Sequence, residues 1–79
     1  MALYKHAAFV TQADDAVFDN AHHPGTPAPL SGIYRCPGCG REDVSTQGHP
    51  LPPQNHHQHT ANQGHVRWQL IVFADHRPK

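Results

Sequence analysis

Two cysteines, Cys36 and Cys39, stand two residues apart in the run Tyr34-Arg-Cys-Pro-Gly-Cys-Gly40, and the chain has no others. After sixteen further residues comes His56 and, past another two-residue gap, His59, inside Asn55-His-His-Gln-His59. Thiolate sulfur and imidazole nitrogen in the pattern Cys-x2-Cys-x16-His-x2-His form the donor set of a small tetrahedral zinc site. Such a site takes sulfur at about 2.3 Å and nitrogen at about 2.0–2.1 Å. A two-residue gap lets a tight turn aim both side chains of a pair at one point. Pro37 fixes one φ angle, while Gly38 and Gly40 permit positive φ and clear space around the sulfurs. Two thiolates and two neutral imidazoles also balance a divalent ion, so burying the site costs less.

Cys36, Cys39, His56 and His59 are therefore the expected ligands of one structural zinc per chain. His57 with His59 is the next pairing, His65 is a weaker fourth ligand, and His49 lies a little upstream. His6, His22, His23 and His76 read as solvated side chains. Other chemistries fit the cysteine pair less well. Haem attachment needs a histidine directly after the second cysteine, where Gly40 stands, and an iron–sulfur cluster needs four cysteines. A thioredoxin-like redox pair belongs to a strand–helix setting, whereas strand patterns flank this pair.

The elements that must position these ligands are short. Residues 1–23 form a first unit, in which Thr11 can cap a helix of about ten residues with Asp14 and Asp15 in its first turn. Phe9, Val10, Val17 and Phe18 are its docking residues. Residues 24–31, containing Pro24-Gly-Thr-Pro-Ala-Pro29, read as an extended connector. A strand over about residues 32–36 delivers Cys36, and its antiparallel partner follows over about 42–46. The loop from Pro50 to Gly64 is polar and rich in proline and histidine. The last strand, over about 66–73, alternates Val66, Trp68, Leu70 and Val72 onto one face. Ile71 and Phe73 make its other face apolar too, as suits a strand covered by the N-terminal helix. Residues 75–79 are a tail.

Composition points to the metal independently. The chain has 79 residues, of which 37% are hydrophobic, near the size where one apolar core barely suffices. Residues 21–31 and 47–64 contain few large apolar side chains. Ordering them costs roughly 1–2 kcal/mol per residue with little burial in return. A structural zinc can supply about 10–16 kcal/mol of apparent binding free energy.

Six basic residues balance six acidic ones, which gives no support to long-range steering toward nucleic acid or an anionic membrane. No stretch reaches the roughly 18 apolar residues of a membrane span, and Met1-Ala-Leu-Tyr-Lys-His6 lacks a signal-peptide core. A cytoplasmic protein is expected. Trp68 and Tyr34 could stack on bases, but a lone tryptophan in so small a domain reads better as its core. Arg35, Arg41 and Arg67 make at most a modest positive face.

The runs Pro24 to Gly40, Gly48-His-Pro-Leu-Pro-Pro-Gln-Asn-His-His-Gln-His59 and Trp68-Gln-Leu70 resemble a group of short bacterial proteins labelled protein L, unrelated to the immunoglobulin-binding protein of that name. The chain is similar also to small zinc-ribbon proteins with a Ser-Gly-x-Tyr-x-Cys-x2-Cys-Gly opening, a Pro-Pro-Cys-x2-Cys knuckle and a closing Trp-x-Leu strand. The resemblance carries Cys36 and Cys39 over as ligands. It departs at the second knuckle, where Gln54-Asn55 follow Pro52-Pro53 and histidines replace both cysteines. It implies a fold and no activity.

The expectation is thus one small metal-stabilised α+β domain over residues 1–79. It is a zinc ribbon of two knuckles and a three-stranded antiparallel sheet with a short N-terminal helix. The expected function is non-enzymatic, a module binding a protein partner. The alternatives are a nucleic-acid-binding accessory ribbon and a zinc storage or transfer protein. A catalytic zinc would need an open position beside a general acid or base, and the nearest acids, Glu42 and Asp43, lead away along a strand.

Overall fold

The computed structural model describes residues 1–75; His76 and all of the tail after Asp75 lie outside the described residues. Four strands form one antiparallel sheet: β1 (Ala21–His22), β2 (Gly32–Arg35), β3 (Glu42–Ser45) and β4 (Trp68–Phe73), in the order β1-β4-β2-β3. The three expected strands are present as β2, β3 and β4. The fourth, β1, comes from the stretch assigned to the N-terminal helical unit and pairs Ala21 with Gln69 and His22 with Trp68.

The N-terminal helix is a correction. Among the described residues there is no α-helix; the segment forms only single 3₁₀ turns at Ala7–Phe9 and Ala16–Asp19. Asp15, not Thr11, caps the second turn, its Oδ1 accepting the Val17 N–H at 3.0 Å. The physical reason lies in what the segment buries. Val17 and Phe18 pack against the core, and the Phe18 carbonyl accepts from the Gln69 side chain at 2.7 Å. Phe9 is 85% exposed and Val10 46%. A ten-residue helix is marginal in water without a packed face, and two docked residues do not provide one.

Tyr34, Cys36, Leu51, Val66, Trp68 and Leu70 form the fully buried core. Both large rings bring their polar tips to partners. The Tyr34 hydroxyl donates to the Leu30 carbonyl at 2.6 Å and Trp68 Nε1–H donates to the Pro52 carbonyl at 3.1 Å. Buried aromatic groups need such partners because an unmet donor loses its hydration without compensation. With both rings fully buried, neither offers a face to a base.

The alternation of β4 holds through Val66, Trp68 and Leu70 and then breaks. Ile33 pairs with Val72 but Tyr34 with Leu70, so Ile71 is the extra residue of a β-bulge. Beyond the bulge the facing set shifts by one: Val72 is 36% exposed, while Phe73 packs on the core.

The connector is not free. Its backbone forms a ladder with residues 48–51: Gly25 N–H donates to the Leu51 carbonyl at 3.0 Å, Leu51 N–H to Thr26 at 2.8 Å, Ala28 N–H to His49 at 2.8 Å and Gly48 N–H to Ala28 at 2.8 Å. The ladder buries Ala28 and Leu51 and anchors the chain just ahead of the histidine cluster.

Candidate metal centre

The first knuckle follows directly from β2. Cys36 N–H donates to the Arg41 carbonyl at 2.8 Å, and the Cys36 carbonyl accepts from Cys39 N–H at 3.3 Å and Gly40 N–H at 2.7 Å. Gly40 completes this turn at φ +84°, a conformation costly for a side chain with a Cβ. Gly38 serves a different need. A Cβ there would lie 2.5 Å from the Gln63 carbonyl oxygen, 3.0 Å from Arg67 Nη1 and 3.2 Å from His59 Cε1. The two halves of the site thus touch across a residue without a side chain.

The histidine half lies between two 3₁₀ turns, Gln54–His56 and Ala61–Gln63. At the end of the first, His57 is extended (φ −154°, ψ 165°). The second begins at Thr60 with reciprocal side-chain capping by Gln63, Thr60 N–H donating to Gln63 Oε1 at 2.8 Å. Arg67 Nη1 then donates to the carbonyls of His65 at 2.8 Å and Gln63 at 3.3 Å, tying the loop to the start of β4.

These elements bring Cys36, Cys39, His57 and His59 together, with one donor atom from each lying within 4.8 Å of the other three. Cys36 Sγ is 3.4 Å from His59 Nε2, Cys39 Sγ is 3.2 Å from His57 Nε2, and the two Nε2 atoms are 3.0 Å apart. Tetrahedral zinc with ordinary bond lengths would set sulfur–nitrogen edges of about 3.6 Å and nitrogen–nitrogen edges of about 3.3 Å. These three edges are shorter than the tetrahedral values by a few tenths of an ångström, and with all four donors within 4.8 Å of one another the group could hold a metal ion. His59 Nδ1 lies 2.8 Å from the Gly64 carbonyl; a proton there leaves Nε2 free for a metal.

The electrostatics favour the metal-ready protonation states. At Cys36 burial pushes the thiol up, but hydrogen bonds from the backbone N–H groups of Arg67, Gly38 and Cys39 and from the Cys39 thiol together hold it below the ordinary value. At His57 burial, with the neighbouring His59, His56 and Arg41 charges, pushes the imidazole down. A metal needs thiolate and neutral imidazole.

Three of the four expected ligands stand in this group, and His56 does not. His57, the next pairing, occupies its place: its own backbone is extended, and from an extended residue the side chain two positions on falls on the same side, as His59 does. His56 instead places Nε2 3.1 Å from Asp43 Oδ2. His65 stacks on His23 with ring centroids 6.1 Å apart, outside the group. The carbonyl of Gly64 and the carboxylate of Asp43 were not among the candidate residues. Asp43 was expected to lead away from the knuckle, yet its side chain reaches the edge of the cluster.

No protein-family model matches the chain, and no solved structure matches it. Two curated proteins do. One, named "Protein L", from Escherichia coli, is 48% identical over 63 residues, spanning 80% of this chain and 71% of the relative. An uncharacterized protein of Mycobacterium tuberculosis is 49% identical over 39 residues, 49% of this chain and 39% of that protein. The motif-level resemblance and this extended identity agree: the chain belongs to the protein L family of small bacterial proteins.

Proposed function

We propose that this chain is a non-enzymatic zinc-binding mini-domain whose single zinc is structural and whose surface engages a protein partner. The observation that carries the reading is the convergence of Cys36, Cys39, His57 and His59 from the two sides of the fold. A metal held there cross-links the β2–β3 hairpin to the loop before β4, the polar stretch that gains least from burial. Four protein donors leave no open position, which favours a structural role over a catalytic one.

A protein partner is favoured over nucleic acid by the distribution of charge and apolar surface. Arg35 is paired with Glu42 at 2.9 Å and Arg67 donates to backbone carbonyls, so two of the three arginines near the site are already engaged and less available to phosphate. Leu3, Tyr4 and Phe9, close together along the chain, are exposed at 94%, 68% and 85%, and exposed apolar side chains suit protein contact. Unpaired cysteines suit a reducing compartment such as the cytoplasm. Among the described residues no helix is long and apolar enough to cross a membrane.

Native mass spectrometry tests the metal: one zinc per chain is expected, with loss of the fold on chelation. A folded, metal-free protein of unchanged stability refutes it. Retention on heparin at low salt, lost steeply as salt rises, would replace the protein partner with nucleic acid. A second reading, zinc transfer, draws on the exposure of Cys39 beside buried Cys36; it requires exchange with a chelator within minutes at neutral pH.

A further inference from the structure

We propose that Asp43 and His56 form an outer shell that orients His57 toward the metal, an inference resting on the metal-binding reading above. The atoms lie in one line of contacts. Asp43 Oδ2 is 3.1 Å from His56 Nε2, His56 Nδ1 is 2.9 Å from His57 Nδ1, and His57 Nε2 is 3.2 Å from Cys39 Sγ.

Hydrogen-bond complementarity fixes one arrangement of protons along this line. A metal at His57 Nε2 takes the lone pair of that nitrogen and leaves the proton on Nδ1. That proton is then donated to His56 Nδ1, which must be the unprotonated nitrogen. His56 in turn carries its proton on Nε2 and donates it to Asp43 Oδ2. Every donor meets an acceptor, and both imidazoles are neutral. The opposite tautomer of His56 would set two N–H groups against each other at 2.9 Å and take the His56 donor away from Asp43 Oδ2.

Both outer residues are themselves held. Asp43 Oδ1 accepts the Val44 N–H at 2.8 Å, which sets the direction of the carboxylate. Asp43 is paired with Tyr34 in the β2–β3 ladder, so its backbone belongs to the sheet. Trp68, fully buried, lies edge-on to both imidazoles, with ring centroids 5.5 Å from His56 and 5.7 Å from His57. His56 is therefore a positioning residue: it contacts a ligand, not the metal, and relays the fixed direction of a strand carboxylate to the ring that binds. Carboxylate–histidine arrangements of this kind raise ligand basicity and restrict ring rotation.

The test is a set of zinc-affinity measurements by chelator competition, with long-range ¹⁵N–¹H spectra of the zinc-loaded protein. His56→Ala is expected to keep one zinc per chain and weaken its binding about 10- to 100-fold. His56→Gln, whose amide oxygen can accept the His57 proton, should recover part of that loss. Asp43→Ala should weaken binding in the native background and add little on top of His56→Ala, because the carboxylate acts through His56. The spectra should show His57 and His56 protonated on Nδ1 and Nε2 respectively. Additive losses, an inverted His57 tautomer, or unchanged affinity in His56→Ala each overturn the proposal. Loss of the zinc in His56→Ala with retention in His57→Ala would make His56 a ligand and overturn it as well. Should His56→Ala not fold, the tautomers of the native protein still decide the matter. A native protein that binds no zinc fails at the metal reading itself; one that binds zinc with the wrong tautomers fails only here.

Discussion

Replacing Gly38 with alanine offers a sharp probe of how the two halves of the metal centre meet. The added Cβ would sit 2.5 Å from the Gln63 carbonyl oxygen, a backbone atom, where ordinary contact begins at 3.4 Å, so about 0.9 Å of separation must be found. The side-chain contact with Arg67 Nη1 can relax, but the Gln63 carbonyl belongs to the capped turn that follows His59, and His59 Cε1 is itself only 3.2 Å away. Metal sites tolerate donor displacements of about 0.2 Å, so a shift of even half the required size moves His59 off its position. Overpacking of this kind costs about 1–3 kcal/mol, equivalent to roughly 5- to 150-fold in zinc affinity. The assay is competition with a chromophoric chelator. Gly48→Ala serves as the control: Gly48 has φ +85° and nothing within 4 Å of its would-be Cβ, so it should cost about 1–2 kcal/mol of folding free energy through backbone strain without a specific defect in the metal centre. A folded Gly38→Ala protein with zinc affinity within about twofold of the native value would refute the argument that the halves meet across this residue.

Two other perturbations follow from the same geometry. Acidification should destabilise the fold, because the Cys36 thiol and the His57 imidazole are both held below their ordinary values. In each case the unfolded chain binds the proton more readily, so stability rises with pH across the interval between the folded and unfolded pKa values. The Cys36 contribution is complete above about pH 8.5 and that of His57 above about pH 6.5, and each is lost as the pH falls through the folded value. Urea midpoints taken from about pH 8 down to about pH 5 should decline; a flat profile contradicts the assignment. Trp68→Phe removes the donor that meets the Pro52 carbonyl and should cost about 1–3 kcal/mol, seen as a lower urea midpoint by circular dichroism. An unchanged midpoint would mean that the carbonyl finds another partner.

Much of the sheet is legible in the residues themselves. Ser31 to Cys36 and Asp43 to Thr46 are bounded by turn formers, and the apolar run after His65 has strand periodicity through Leu70. The cysteine knuckle is equally plain, since Pro37, Gly38 and Gly40 have few other reasons to stand together. What escapes a reading of the sequence depends on contacts distant along the chain. The Thr11–Asp14 cap signal is real as local chemistry, but a short helix survives only on a surface that buries it, and Phe9 finds none. Strand β1 has two residues and no pattern of its own; its pairing exists because β4 has a free edge. Choosing His57 over His56 requires knowing that the chain is extended between two 3₁₀ turns. The spacing of the cysteine pair, set by a tight turn, gives no guide to a pair held on an extended segment. Pro24 to Pro29 has an extended shape by composition, while its ladder with residues 48–51 depends on where the later loop returns.

Strand order has a consequence for the chain during its synthesis. β4 lies between β1 and β2 although it is the last strand to be made. A nascent chain that has emerged as far as Arg67 already holds both cysteines and both metal-group histidines, yet it has no central strand and no tryptophan to wall the histidines. The four candidate ligands and the Gly64 carbonyl are therefore all present in the first 64 residues, when the β2–β3 hairpin is the only multi-residue strand pairing of the described sheet that the chain can form. Translation of the following nine, through Phe73, inserts the strand that joins β1 to the hairpin. Until then the ligands have each other but no core, and an ion captured early would close the segment between Cys39 and His57 while the place between β1 and β2 still waits for the final strand.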